Sequence, residues 1–280
     1  MVILQARLPN GRSVPAAFAL LPDKTADVYS LFWNAIKEKL GDGIKAKQML
    51  LDFEVANITT FQEMFPEIEV SGCEFHFRKA IFSHIQKKKI VDLFNQSQEF
   101  QLFLNMVYSL AYVKPDDIVE VYDTVILEYL EENADLWPDW SDEIRQFVAY
   151  MDRTWIGNQP LTRNGRRRNP LFSFDLWNKW SEVQGNLPTT NNSNEAYNNQ
   201  WNRTTEANAT MWTIIYNFQR EDALSRKTVL DSMTDANSEN YAVKERQKDR
   251  RFRIKNMASM YNEYPIKSYI KDMATILLNK

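Results

Sequence analysis

The chain has 280 residues, of which 44% are hydrophobic and 13% aromatic, and its formal net charge at pH 7 is −3. This composition excludes intrinsic disorder, and the small negative charge gives no overall attraction to nucleic acid, so any DNA contact must come from local basic patches. One cysteine and two histidines exclude an internal disulfide framework and are too few for a self-contained zinc finger. Neither a secretory leader nor an apolar window of membrane-spanning length is present, so we expect an intracellular protein without a membrane partner.

In the first 78 residues, strand patterns alternate with helix patterns. Two β-rich runs, 2–8 and 14–21, flank the tight-turn step Asn10-Gly11 and predict a hairpin. The patterns that follow predict a helix over 25–40, a short buried strand in "QMLLDFE", a helix to about Phe65, and a second short strand in "IEVSGCEFHF" that leads into a helix. Strands separated by helices pair in parallel through right-handed crossovers, so the pattern predicts α/β organisation with a hairpin at one side.

Strand patterns disappear from about Lys79 to Trp155, and helical periodicity replaces them. One predicted helix face carries Ile118, Val121, Tyr122, Val125 and Tyr129. A polar loop punctuated by Gly and Pro follows, and it contains the basic run "RNGRRRN" at 163–169. The last part of the chain is again helical, with a strongly basic helix around 244–255, and such a charge run is usually a solvated helix face.

Two carboxylates are candidates for chemistry. Asp52 lies at the carboxyl end of a predicted strand, where open sheets place their ligands, and Glu54 follows two residues later. Spacing alone makes Asp52 more typical of a helix cap than of a catalyst, and makes an acid–base pair with Glu54 a weak alternative. Glu195 is the only acid in "NLPTTNNSNEAYNNQWN" and is predicted in the first turn of a helix, where it could equally be an ordinary capping acid. The predicted cap residues are Thr190, Asn191 and Asn192.

Three separated stretches resemble the transposase domain of Mutator-like elements (MULE). They are "VPAAFALLPDKTADVY" with "LLDFEVA", then "GCEFHFRKAIF", then "RRRNPLFSFDLWNKW" with "LPTTNNSNEAYNNQW". Their order and spacing agree with that family, as does the helical block between the second and the third. The resemblance spans nearly the whole chain and implies a DDE transposase: an RNase H-like sheet that carries two Asp and one Glu, with a helical insertion before the Glu.

The resemblance assigns roles to individual residues. Asp52 matches the second acid of the triad and Glu195 the third, which implies that both bind Mg²⁺ or Mn²⁺ for in-line phosphoryl transfer on DNA. Cys73 and His76 match the family's Cys-x-x-His element; for His76 we favour a structural or DNA-contacting role over metal binding, and an inert core position is the alternative for both. The arginine loop lies within the matched region, so we expect Arg166, Arg167 and Arg168 to contact the DNA backbone, with a structural role as the alternative.

The sequence departs from the family at the first acid. That Asp belongs to a strand ahead of the hairpin, and "MVILQARL" matches the strand after it, so no residue of this sequence matches the first Asp. The expectation is therefore a truncated, catalytically impaired protein. Because the missing strand is central in RNase H-like sheets, two sheet pieces with unpaired inner edges are expected. Asn198 stands where related sequences often have a His, which is a further departure.

The predicted architecture is therefore α/β, an RNase H-like mixed sheet that lacks its first strand, with a large all-helical insertion and a helical C-terminal part. The predicted regions are a truncated core at 1–78, the helical insertion at 79–185, the Glu-bearing return to the core at 186–230 and a basic helical region at 231–280. The predicted function is a MULE-type transposase acting on DNA in the nucleus. The alternative is a non-enzymatic nuclear protein, derived from a transposase, that binds DNA or other proteins; the sequence leaves open whether the chain forms a homo-oligomer.

Overall fold

The computed structural model describes residues 1–8, 12–41, 44–87, 90–159, 167–185, 197, 201, 205, 209–234 and 245–278, apart from the side chains of 234 and 245–247. These residues belong to two compact units built from interleaved segments. Unit 1 comprises Met1–Lys47, Glu54–Ile68 and Asn191–Gln247, and unit 2 comprises Gln48–Phe53, Glu69–Thr190 and Lys248–Lys280. The predicted insertion, 79–185, therefore lies within unit 2.

Four strands and a longer series of helices make up the described part of the chain. The strands are β1 (Val2–Arg7), β2 (Ser13–Ala19), β3 (Gln48–Leu51) and β4 (Glu69–Gly72). The first eight described α-helices in chain order are α1 (Ala26–Leu40), α2 (Val55–Met64), α3 (Glu74–Lys87), α4 (Val91–Gln96), α5 (Gln98–Ser109), α6 (Ile118–Val121), α7 (Leu127–Glu132) and α8 (Ser141–Met151). The remaining helices are α9 (Phe174–Trp177), α10 (Trp180–Gln184), α11 (Met211–Thr234), α12 (Glu245–Ser259) and α13 (Ile266–Leu278).

Unit 1 consists of the β1–β2 hairpin with α1, α2 and α11. The hairpin strands pair antiparallel, as the sequence predicts, while the Asn10-Gly11 turn lies outside the described residues. Asp23 fixes the start of α1, because its carboxylate accepts hydrogen bonds from the backbone N–H and the hydroxyl of Thr25. Aromatic side chains join α1 to α2: Trp33 packs against Phe61 with ring centroids 4.8 Å apart, and both are buried.

Unit 2 combines a small parallel sheet with most of the described helices. β3 and β4 pair in parallel from Gln48 with Glu69 to Leu51 with Gly72, which confirms the predicted strand–helix–strand crossover. Gly72 is required by packing, since a Cβ there would overlap the ring of Phe53. Around the sheet, Trp177 stacks on Phe77 with a centroid distance of 4.9 Å, and α13 packs along α5.

The mixed α/β class is confirmed, although helices dominate. Among the described residues, the strands form two separate two-stranded sheets, and no strand follows β4. No described helix is long and apolar enough to cross a membrane. Two segments predicted as ordinary helix are instead π-helical, Tyr122–Ile126 between α6 and α7 and Asp152–Ile156 after α8. Such turns are rare and often occur at functional positions.

Candidate functional site

Asp52, Cys73 and His76 are brought together at one end of the β3–β4 pair. Asp52 follows the last residue of β3, and Cys73 follows the last residue of β4. The backbone N–H of Cys73 donates to the carbonyl of Leu51 at 3.3 Å, which continues the ladder past the last strand pair. Because parallel strands end at the same edge, residues that are distant in sequence meet there.

His76 lies in the first turn of α3 and faces Asp52. Its Nδ1 is 3.0 Å from Oδ1 of Asp52, with the two side chains 27% and 59% exposed. Nδ1 is buried and makes no well-aligned hydrogen bond, so the contact is an ion pair rather than a directed hydrogen bond. The nearby Asp52 carboxylate, and then the Cys73 side chain, raise the pKa of His76 to about 10 against an opposing effect of burial. The imidazole is therefore protonated at neutral pH and neutralises Asp52.

A divalent metal needs more oxygen ligands than this edge supplies. Within the part of the chain that the structure describes, no group of three or more His, Cys, Asp or Glu residues is placed to hold a metal ion. Asp52 is the only described residue of the predicted ligand set. Glu195 and its predicted cap residues, Thr190, Asn191 and Asn192, lie outside the described residues. The described residues alone do not fit Mg²⁺ or Mn²⁺, and the pairing of Asp52 with Glu195 stays a prediction.

Glu54, the partner of Asp52 in the alternative hydrolase hypothesis, has a structural role within unit 1. It occupies the N-cap position of α2, and its two carboxylate oxygens pair with the ammonium of Lys24 and the hydroxyl of Tyr29. Tyr29 is 2% exposed. These partners fix Glu54 against α1, which favours a packing role over acid–base chemistry.

Comparison with known proteins identifies the segment that carries this edge. Residues 5–80 match the MULE transposase domain. The matched segment runs from β1 into α3 and includes Asp52, Cys73 and His76, which confirms the resemblance for this part of the chain. The later resembling stretches, including Glu195, lie beyond the match. No curated protein and no solved structure matches this chain.

Residues just after Glu195 pack in unit 1, which also contains the β1–β2 hairpin. Trp201 is 5% exposed and lies against Phe18 of β2 and Phe218 of α11, with centroid distances of 5.9 and 5.3 Å. Glu221 of α11 is a buried acid that sequence reasoning missed, at 7% exposure. Burial is the largest cause that raises the pKa of Tyr197, and the nearby Glu221 carboxylate is the next. The sequence signal for the burial of Glu221 was its i, i+3 spacing from Phe218, which places both residues on the same face of the helix.

The predicted arginine loop divides into residues with different surroundings. Arg166 lies outside the described residues, and Arg168 is exposed. Arg167 is 13% exposed and pairs with Asp123, while its Nη1 is 3.5 Å from Asp152 and donates to the carbonyl of Gly157 at 2.5 Å. Its two acidic partners lie in the two π-helical segments. This geometry favours the structural alternative for Arg167, and leaves Arg168 available for a ligand.

The end of this loop is fixed by backbone hydrogen bonds and by one glycine. The N–H of Arg168 donates to the carbonyl of Asn158 at 3.1 Å, and the N–H of Leu171 donates to the carbonyl of Arg153 at 3.1 Å. Gly157 has a φ of +103°, and a Cβ there would overlap the carbonyl oxygen of Arg168. The exposed side chain of Arg168 is therefore presented from a rigid base.

A buried ionic network ties "FDLWNKW" to β4, and sequence reasoning missed it. Lys179 is 1% exposed, and its Nζ donates to Ser71 Oγ at 2.5 Å and to Glu182 Oε1 at 2.9 Å. Ser71, in β4, donates to the same Oε1 at 3.0 Å. With every member partnered, the network positions the strand beside β3. The sequence signal was the i, i+3 spacing of Lys179 and Glu182 on either side of Trp180.

Proposed function

We propose that this chain is a transposase-derived protein that acts on DNA in the nucleus, with Asp52 and Glu195 as two carboxylates of a DDE-type site. The observation that carries the proposal is the MULE transposase match over residues 5–80, together with Asp52 at the carboxyl edge of the parallel strand pair in that segment. Open sheets place their reactive groups at this edge. The RNase H-like arrangement of the two sheet pieces is part of the proposal.

Mg²⁺ or Mn²⁺ is the cofactor that the proposal implies; Asp52 and Glu195 would hold it, and it would supply the Lewis-acid chemistry for phosphoryl transfer. The chain's own contribution at the described edge is to hold Asp52 in a fixed position through His76. The first acid of the triad has no match among the 280 residues, so we expect strand cleavage by this sequence alone to be severely impaired. DNA binding does not depend on that acid and is expected to persist.

A non-enzymatic role is the second candidate, and the Asp52–His76 pair favours it. An internal cation 3.0 Å from the carboxylate neutralises the charge that would attract a divalent ion. In this alternative, the protein binds DNA or another protein through the transposase fold without cutting DNA. The arginine loop and the exposed basic residues of α12 supply the DNA-binding surface in both candidates; the latter are Lys248, Arg251, Arg253 and Lys255.

Nicking of short DNA duplexes distinguishes the two candidates. The assay compares the 280-residue chain with a version extended by the upstream sequence, in Mg²⁺ and in Mn²⁺, with Asp52→Asn and Glu195→Gln as controls. Nicking by the extended protein that both substitutions abolish supports the DDE site. Absence of nicking from both proteins, with DNA binding retained, supports the non-enzymatic candidate. Nicking that survives Glu195→Gln refutes the assigned acids.

The arginine loop is tested by the salt dependence of DNA binding. Arg168→Ala and Arg166→Ala should each reduce the steepness of the plot of log K against log salt concentration by about 1. With one phosphate contact fewer, the binding of the protein to DNA releases fewer counterions. Arg145→Ala is the matched control, since this arginine is also exposed, at 77%, and pairs with an acid one turn away on the same helix. Unchanged slopes in both loop variants would remove the loop from the DNA-binding surface.

A further inference from the structure

Helix α11 exposes large apolar side chains to solvent. Its exposed residues include Trp212 at 80%, Met233 at 76%, Tyr216 at 64%, Leu230 at 62% and Ile215 at 37%. A surface helix normally directs such side chains to the core. Apolar residues exposed together in this way mark an interaction surface, whereas single exposed apolar residues need no explanation.

The inward face of the same helix is unusually polar. Its buried residues include Asn217, Glu221 and Ser225, at 5%, 7% and 8% exposure. Asn217 donates to the hydroxyl of Thr205 at 3.0 Å, and the Ser225 hydroxyl donates to the carbonyl of Glu221 at 2.7 Å. The inward face is therefore already satisfied by hydrogen bonds. Rotating the helix to bury the apolar residues would break the Asn217–Thr205 bond and bring the three polar side chains toward solvent, whereas the Ser225 bond lies within the helix and would turn with it.

The exposed face has nearly the same order of apolar and charged residues whether the helix is followed from its N-terminus or from its C-terminus. At a helical rotation of 100° per residue, Ile215, Asp222, Arg226 and Met233 lie on one strip, with Trp212 and Leu230 beside it. Apolar residues occupy both ends of the strip, and one acid and one base occupy its middle. Asp222 Oδ2 and Arg226 Nε are 2.9 Å apart within the helix, so both charges already lie on this face.

We propose that the exposed face of α11 binds the same face of a second copy of this chain, with the two helices antiparallel and crossing near residue 224. In this register, Asp222 faces Arg226 of the second copy, the reciprocal pair forms by symmetry, and Ile215 faces Met233. The interface is isologous, as a two-fold dimer requires. The 24-residue helix is about 36 Å long at 1.5 Å per residue, which gives room for apolar contacts on both sides of the charged centre.

Charge complementarity favours a second copy of the chain as the partner and favours an antiparallel direction for the two α11 helices. In a parallel pair, Asp222 would face Asp222 and Arg226 would face Arg226, and both contacts are repulsive. The antiparallel pair makes two attractive contacts from the same residues. A lipid surface would leave Asp222 and Arg226 against hydrocarbon, which opposes insertion of this strip.

Sedimentation equilibrium of the full 280-residue chain tests the proposal. We expect a dimer whose dissociation constant rises about tenfold or more on Asp222→Arg or Arg226→Asp, because each change creates two like-charge contacts. The double exchange, Asp222→Arg with Arg226→Asp, should return the constant to near the original value. All three variants alter exposed side chains, so circular dichroism should show unchanged folding. A monomer at all concentrations, or a dimer indifferent to these exchanges, overturns the proposal.

Disulfide trapping tests the direction of the helices independently. Ala223→Cys lies next to the crossing point and should form a disulfide-linked dimer on mild oxidation. Ile215→Cys should not link to itself, because its two copies would be about 27 Å apart along the antiparallel pair; it should link to Met233→Cys when the two proteins are mixed. The native Cys73 is buried and does not compete. Self-linking of Ile215→Cys would establish a parallel pair and refute the assigned register.

Discussion

The buried network of Lys179, Glu182 and Ser71 predicts a large stability effect from a change of one charge. Glu182→Gln keeps a side chain of the same shape and an acceptor for Ser71, but it leaves the ammonium of Lys179, which is 1% exposed, without a counter-charge. Removal of one partner from a buried pair costs about 3–5 kcal/mol. Because the introduced amide would still accept a hydrogen bond from the ammonium, we expect a loss near the lower value, about 3 kcal/mol, in the free energy of unfolding.

Urea unfolding followed by far-UV circular dichroism at pH 7 measures this loss. The double variant Lys179→Met with Glu182→Gln removes both charges, and should lose less than the sum of the two single variants by about 2 kcal/mol, the coupling of the pair. Amide exchange of Val183, whose N–H donates to the Lys179 carbonyl at 3.0 Å, locates the effect in α10. Faster exchange there is expected in Glu182→Gln.

The chain contains a matched control for this cycle. Asp142 and Arg145 form an ion pair with the same i, i+3 spacing, but both side chains are more than three-quarters exposed. Asp142→Asn should therefore change stability by no more than about 0.5 kcal/mol. If Glu182→Gln costs as little as this control, the Lys179 ammonium must reach water, and the assigned role of the network in positioning β4 is wrong.

Three further predictions concern the arginine loop and the sheet edge. Arg167→Ala should lower the free energy of unfolding by about 2–3 kcal/mol because it leaves two partly buried carboxylates unpaired, whereas Arg168→Ala should change it by less than about 0.5 kcal/mol in the same urea titration. Gly157→Ala should destabilise by more than about 1 kcal/mol, measured as a lower urea midpoint, since it adds a Cβ at positive φ; an unchanged midpoint would contradict the assigned overlap. An NMR titration in buffer without divalent cations should give His76 a pKa of about 10. The stabilisation that the protonated imidazole provides is then complete below pH 6.5 and is lost as the pH rises toward 10. Asp52→Asn should return the pKa of His76 toward 6.5, and an unchanged value would show that Asp52 is not the cause.

Local patterns were sufficient to predict the elements of the first 87 residues. The runs 2–8 and 14–21 became β1 and β2, and the predicted helix over 25–40 became α1 with Thr25 at its N-cap. Their alternation of strand and helix patterns also predicted the parallel pairing of β3 with β4. These features depend on neighbours within a few residues or on the general handedness of crossovers, which a single sequence contains.

Side-chain partners that are distant in sequence could not be predicted in the same way. Arg167 and Arg168 are adjacent and chemically identical, yet Arg167 is paired internally and Arg168 is exposed. The difference comes from two π-helical turns that direct acids toward the loop, and apolar periodicity does not detect such turns. Lys179 is a similar case, since its acceptor Ser71 is 108 residues away. A lysine is normally assigned to the surface, even between tryptophans such as Trp177 and Trp180.

The Asp52–His76 pair is intermediate between these two cases, because the sequence predicted the position of Asp52 but not its contact with His76. The strand pattern placed Asp52 at the end of β3, but it did not locate the end of β4; the structure ends β4 at Gly72, just before Cys73, and parallel strands end at one edge. In the helix that follows β4, His76 is three residues after Cys73 and therefore lies on the same side, one turn further on. The two steps together direct the imidazole toward the edge where Asp52 ends its strand, which is where the 3.0 Å contact occurs. The contact with Asp52 favours a structural role for His76 over metal binding.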